Sequence, residues 1–229
     1  MYRYFFKRVI DIFLSGLAMI ILSPVLLILT ILVAIFLGRP VLFKQVRPGY
    51  KNKLFCLQKF RTMTNECDSE GNLLPDSERM TKFGRFLRSS SLDELPELWN
   101  IFTGKMSIVG PRPQLVKDLV FFDDETMKRQ SVRPGLTGLA QVSGRNNATW
   151  DERFECDLKY VEKITFWRDV KIIFKTVGKV FSRSDIATEG MDTSEDYGDY
   201  LLRLNRIGED EYKEKVSKSK EMIKEFLDK

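Results

Sequence analysis

The chain has 229 residues, which is enough for one compact domain with an appendage. It carries 37 basic and 32 acidic side chains, and a net charge of +5 favours an anionic partner such as nucleic acid, lipid head groups or phosphorylated substrates. The absence of histidine excludes imidazole as a general base or metal ligand, so any metal is expected to be oxygen-liganded magnesium or manganese. Its three cysteines lack C-x-x-C spacing and predict neither a zinc site nor a disulfide framework.

The first feature in chain order is an uncharged, apolar segment between Asp11 and Arg39. As one straight helix it would be roughly 40 Å long, more than the bilayer core of about 30 Å. A buried soluble helix and a signal peptide are the alternatives, but the segment is long and no small-residue cleavage motif follows it. Ser23-Pro24 interrupts it, because proline cannot donate a backbone hydrogen bond.

Charge distinguishes a kinked span from a helix-break-helix hairpin that enters and leaves on one side. Both flanks of the apolar segment are basic, and the positive-inside rule therefore favours both ends in the cytoplasm. The cations are Arg3, Lys7 and Arg8 before the segment and Arg39, Lys44, Arg47, Lys51 and Lys53 after it. We therefore predict a re-entrant membrane hairpin at residues 1–39.

Residue periodicity predicts a helix-dominated α/β or α+β fold after the hairpin. We divide it into a cytosolic domain at 40–183, with interfacial amphipathic helices, and a charged extension at 184–229. The predicted elements are strands at 41–46 and 54–60, and helical segments at 81–88, 114–130, from Thr149, at 166–181 and at 209–228.

Two adjacent carboxylates, Asp93 and Glu94, are the main candidates for chemistry. Ser91 and Glu94 fit a capping box, which would place both acids in the first turn of a helix and keep Asp93 ionised. A carboxylate there can attack phosphorus, and its neighbour can hold a divalent cation. The alternative is that both acids only cap the helix. Pro96 is expected to kink that helix.

Basic side chains near these acids are candidates for phosphate binding. Lys59 ends the second strand, and Arg88 lies close enough in sequence to reach a phosphate held at Asp93. The glycine-rich segment from Arg133 to Arg145 would allow close backbone approach to an anion, although it has no Walker or Rossmann spacing. Taken alone, each of these cations is more commonly solvated, and an isolated Asp157 is more commonly structural.

Several motifs in order resemble the bacterial sugar transferase family of monotopic polyprenyl-phosphate phosphoglycosyl transferases. The resemblance covers roughly residues 1–190. The matching segments are 6–11 (FKRVID) with Ser23-Pro24, 45–49 (QVRPG), 59–63 (KFRTM), 91–96 (SLDELP) with Asn100, 109–113 (VGPRP), 132–138 (VRPGLTG) and 141–145 (QVSGR).

The resemblance implies transfer of a sugar 1-phosphate from a UDP-sugar, N-acetylated by family habit, to undecaprenyl phosphate at the cytoplasmic face of the bacterial inner membrane. Asp93 would form a covalent phosphosugar intermediate and release UMP, while Glu94, with Asp93, would hold Mg²⁺. The implied substrate-binding residues are Lys59, Arg88, Arg112, Arg133, Arg145 and Asp157. Rival hypotheses are a single displacement with Asp93 as metal ligand only, and a non-catalytic lipid-binding scaffold; a homodimer is left open. Nucleic-acid binding fits the charge, but no recognition motif is present and the hairpin argues against it, so no nucleic-acid partner is predicted.

Overall fold

The structure is a computed structural model that describes residues 1–143, 148–182 and 195–228. Helices dominate these residues, as predicted, and the sheets are small. After a π-helical turn at Tyr2–Phe6, the helices are α1 (Lys7–Ile21), α2 (Ser23–Phe36), α3 (Asp76–Arg79), α4 (Lys82–Ser89), α5 (Glu97–Phe102), α6 (Val116–Leu119), α7 (Asp124–Met127), α8 (Leu139–Ser143), α9 (Trp150–Glu162), α10 (Phe166–Ser182), α11 (Tyr197–Arg203) and α12 (Glu209–Leu227).

The N-terminal helices α1 and α2 form a bent pair. Pro24 lies in the first turn of α2, and the Ser23 hydroxyl donates a hydrogen bond to the Ile20 carbonyl at 2.8 Å. Among the described residues no helix taken alone has the length and apolar composition to cross a bilayer, but residues 2–36, bent by 64°, meet that test as a pair. Insertion into a membrane stays a prediction.

Helix α2 is anchored on the rest of the chain through one apolar face. Leu29 and Val33 are buried against Phe60 and Leu87. Helix α1 buries Asp11 and Ser15, but much of the apolar surface of the pair is exposed, with Ile20 at 74% and Ile35 at 69% of full exposure. An apolar surface of this kind in a folded chain indicates contact with lipid or another protein.

Two small sheets complete the fold. Strands β1 (Leu42–Pro48) and β2 (Leu54–Phe60) pair antiparallel, which confirms both predicted strands. Strands β3 (Ser107–Val109) and β4 (Gly135–Thr137) pair in parallel. The Asn100 side chain accepts from the Gln58 N–H at 3.2 Å and donates to the Cys56 carbonyl at 2.9 Å, so it attaches α5 to the free edge of β2.

The predicted single helix at 114–130 is wrong. The chain forms α6, breaks, and restarts as α7, where the Asp123 side chain accepts a hydrogen bond from the Thr126 N–H. Phe121 and Phe122 lie in this break, and both pack into one apolar cluster.

The C-terminal helices α11 and α12 cover this same cluster. Tyr197, Tyr200 and Leu201 of α11 are buried there with Trp150 and Phe154 of α9. The predicted helices at 166–181 and 209–228 are confirmed as α10 and α12, and that at 81–88 as α4. The described part of the predicted extension therefore packs on the domain.

Candidate active site

The Asp93-Glu94 pair lies in a 3₁₀ turn, Leu92–Glu94, and the predicted capping box is wrong. Ser91 has a left-handed φ of 55° and makes no side-chain capping bond. Helix α5 begins only at Glu97, after Pro96, because proline is tolerated before or at the start of a helix but not within it. The acids thus precede the helix and are presented by a tight turn.

A network of charges surrounds the Glu94 carboxylate. Its Oε1 accepts from Lys59 Nζ at 2.6 Å and from Arg112 Nη2 at 3.2 Å. Lys59 Nζ also lies 3.2 Å from Oε1 of Glu97, which is 3% exposed. Lys59 therefore lies between two carboxylates beside Asp93, and its predicted part in phosphate binding stays a prediction.

Asp93 is chemically distinct from its neighbours. Among the described residues no group donates a hydrogen bond to its carboxylate, which leaves the oxygens free to approach a substrate. Burial, reinforced by the charge of Glu94, raises the pKa of Asp93 to about 6, although Lys59, Arg112 and Arg88 oppose the shift. The expectation that a helix dipole holds Asp93 ionised is therefore wrong, since the acid is not on a helix and is desolvated.

The two glutamates have opposite proton affinities. Burial acts to raise the pKa of Glu94, but Arg112 and Lys59 outweigh it and lower that pKa to about 2. Burial raises the pKa of Glu97 to about 7, against the charge of Lys59. Glu97 was missed by the sequence reasoning. Its position three residues after Glu94, beyond an intervening proline, was the available signal.

Arg112 is placed by the Pro-Arg-Pro turn at residues 111–113. The Gly135 N–H donates to the Pro111 carbonyl at 2.9 Å, which joins the turn to β4. Arg129 Nη2 donates to the Arg112 carbonyl at 2.8 Å and to Asp157 Oδ2 at 2.6 Å. Arg129, which no sequence motif indicated, thus connects α9 to the turn.

Asp157 lies in a buried pair and does not touch the Asp93-Glu94 carboxylates. It is 2% exposed, and burial raises its pKa while Arg129 opposes the shift. This contact gives Asp157 a structural place behind Arg112. Its predicted part in substrate binding stays a prediction.

The other predicted cations differ in where the structure places them. Arg88 Nε donates to Thr62 Oγ1 at 3.1 Å, and its charge acts on Asp93. Arg133 Nε donates to the Gly104 carbonyl at 2.9 Å, just beyond the opposite end of α5 from Glu97. Arg145 lies outside the described residues.

The donor set is compatible with magnesium. Mg²⁺ commonly takes one or two carboxylates and completes its shell with water and substrate phosphates. Asp93 and Glu94 supply oxygen donors of this kind, and the Asp93 carboxylate has no hydrogen-bond donor among the described residues. No set of three or more acidic or cysteine side chains in the described chain forms a metal cage, so substrate oxygens would have to contribute.

Comparison with known proteins assigns the class. A model of the bacterial sugar transferase family matches residues 2–183, and the chain belongs to that family. It is 44% identical over 189 residues to an uncharacterized sugar transferase, EpsL, of Bacillus subtilis, covering 82% of this chain and 94% of that protein.

Two further relatives carry descriptions of their reactions. A UDP-glucose:undecaprenyl-phosphate glucose-1-phosphate transferase of Klebsiella pneumoniae is 42% identical over 77% of this chain and 40% of its own length. An undecaprenyl-phosphate galactose phosphotransferase of Salmonella typhimurium is 37% identical over 78% of this chain and 41% of its length. The chain therefore spans less than half of these two relatives.

Proposed function

We propose that the chain transfers a sugar 1-phosphate from a UDP-sugar to undecaprenyl phosphate, giving UMP and a polyprenyl diphosphate-sugar. The observation that carries this proposal is the Asp93 carboxylate, which accepts no hydrogen bond from the described residues and lies beside Lys59, Arg88 and Arg112. Family membership and the names of the relatives support the same reaction. Phosphoryl transfer depends mostly on positioning and charge stabilisation, so a site without histidine suits it.

The proposed reaction has two displacements at one phosphorus. An Asp93 carboxylate oxygen attacks the sugar-bound phosphorus, and the bond from that phosphorus to the bridging oxygen breaks, releasing UMP. An oxygen of the lipid phosphate then attacks the same phosphorus and expels the Asp93 carboxylate. Lys59, Arg88 and Arg112 offset the charge of the phosphate oxygens. No separate general base is needed, because both nucleophiles react as anions.

Glu94 and Asp93 would hold Mg²⁺ in this reaction. Bound there, the ion would neutralise charge on the phosphate oxygens and help to align the diphosphate. Lys59 and Arg112 now occupy Oε1 of Glu94, so they orient this carboxylate and keep it ionised.

The bent α1–α2 pair is proposed to enter the cytoplasmic leaflet and return. Its exposed apolar residues and basic flanks support this arrangement, and a lipid phosphate at head-group depth would then lie near the cytosolic site. In a cysteine-free background, cysteines placed at Tyr4 and Phe43 should both react with an impermeant thiol reagent from the cytoplasmic side. Labelling of the two positions from opposite sides would instead show a span.

Acceptor-free UMP release tests the proposed function. Purified chain is incubated with magnesium and a panel of UDP-sugars that includes glucose, galactose and N-acetylated donors. One donor should release about one UMP per protein without lipid, and undecaprenyl phosphate should then restart turnover. Chelation should abolish both steps.

Other outcomes distinguish the rivals. Turnover that starts only with lipid present, with no earlier UMP, would favour a single displacement. Lipid binding that survives chelation, with no UMP under any condition, would favour the scaffold.

A further inference from the structure

The segment 45–49 (QVRPG) is part of the family resemblance, but the proposed reaction gives it no role. In the structure Arg47 Nη2 donates to Gln45 Oε1 at 2.7 Å, and Nη1 donates to the Pro113 carbonyl at 3.3 Å. Its Nε is buried and has no hydrogen-bond partner among the described residues. The Arg47 guanidinium therefore contacts the same Pro-Arg-Pro turn that presents Arg112.

Arg47 has no counterion within ion-pairing distance in the described part of the chain. The three carboxylates whose charges act on it are engaged elsewhere. Asp118 accepts from the backbone of Leu115 and Tyr197, Glu97 lies against Lys59, and Asp196 pairs with Lys117. Burial, followed by the charge of Arg112, lowers the pKa of Arg47 to about 10. A buried cation without an opposite charge is destabilising, and an arriving anion would relieve that cost.

Arg153 approaches the same turn from α9. It lies four residues before Asp157, so both side chains project from one face of the helix. Asp157 binds Arg129, which holds the Arg112 carbonyl. The Arg153 guanidinium stacks 5.6 Å from the Trp150 ring centroid, and burial together with the charge of Arg112 lowers its pKa. It too has no ion pair among the described residues.

We propose that Arg47, Arg112 and Arg153 form an anion site for the phosphate of the leaving nucleoside monophosphate. This inference rests on the proposed function and extends it. Arg112 contacts Glu94, and its charge acts on both Arg47 and Arg153. In a donor whose sugar-bound phosphorus lies at Asp93, the second phosphate is one bridging oxygen away, and in this proposal it binds Arg112 and the two arginines on which the charge of Arg112 acts. Positive charge there stabilises the oxygen that gains charge as the bridging bond breaks.

The test compares binding of UMP with binding of uridine, which lacks the phosphate. Calorimetry is performed on the full chain in detergent for the wild type, Arg47→Gln and Arg153→Gln. Each substitution should weaken UMP binding about tenfold, the effect of losing one hydrogen bond to a charged group, and leave uridine binding unchanged. Arg47→Lys should retain part of the UMP affinity, because it keeps the charge.

Arg79→Gln is the matched control. Arg79 also donates to backbone carbonyls, those of Leu74 and Thr64, but lies outside the proposed site. This variant should bind UMP like the wild type. Thermal unfolding of each variant checks that the fold is retained. The Arg47 side chain donates hydrogen bonds to Gln45 and Pro113, whereas that of Arg153 makes none among the described residues, so the Arg153 variant is expected to fold even if the Arg47 variant does not.

Three results would overturn the inference. Unchanged UMP affinity in both variants would show that Arg47 and Arg153 do not bind the phosphate. Acceptor-free UMP release, and so the proposed function, would be unaffected by that result. If UMP and uridine binding weaken equally, the arginines stabilise the Pro-Arg-Pro turn and do not bind the phosphate. A wild type that binds neither UMP nor UDP would overturn this inference together with the UDP-sugar donor.

Discussion

Asp93→Asn should abolish the covalent step and lower turnover by at least about a thousandfold, the scale on which enzymes lose activity when a nucleophile is removed. An amide cannot form the acyl-phosphate, and it also removes an anionic metal ligand. Intact-protein mass after incubation with magnesium and UDP-sugars, without lipid, is the measurement. The wild type should gain one phosphosugar and the variant should gain nothing.

Asp210→Asn is the control for this experiment. Asp210 is an exposed acid in α12, so its variant should carry the same adduct as the wild type. If the wild type turns over with lipid but never shows an adduct or early UMP, Asp93 would be a metal ligand only. An adduct that persists in Asp93→Asn would identify a different nucleophile.

Asp157→Asn should strongly destabilise the protein. The Arg129–Asp157 pair is 2.6 Å apart, with side chains 1% and 2% exposed, so neutralising Asp157 leaves a buried cation without a counterion. Breaking such a pair costs about 3–5 kcal/mol. At about 2–4 °C per kcal/mol for a chain of this size, thermal unfolding in detergent should begin roughly 10 °C lower. UMP release should also slow, because Arg129 positions Arg112.

A double variant distinguishes the loss of stability from the loss of the contact that positions Arg112. Arg129→Met with Asp157→Leu removes both charges, and apolar replacements of buried pairs are often neutral in stability. The double variant should therefore unfold near the wild-type temperature. Its UMP release should remain slow, because the Arg112 carbonyl loses its contact with Arg129. Glu209→Gln, which breaks an exposed pair with Lys213, should leave the unfolding temperature unchanged. Wild-type stability in Asp157→Asn would contradict the buried-pair argument.

Local pattern was sufficient for much of the secondary structure. The capping box at Thr149, the break at Ser23-Pro24 and the periodicity of α10 and α12 depend on neighbouring residues, and the structure shows all of them. Local pattern did not predict the break in the segment 114–130. The helix predicted at 114–130 is two short helices, and Phe121 and Phe122 in the break between them pack into one core.

The sequence by itself determined which groups can do chemistry here: two adjacent carboxylates, cations and oxygen ligands, with no imidazole. Only the tertiary structure decided how they act together. Burial sets the raised pKa of Asp93, and long-range contacts bring Lys59 and Arg112 to Glu94 and Lys59 to Glu97. Proton affinity and ion pairing depend on distance and desolvation, and residues far apart in the chain establish both only after folding.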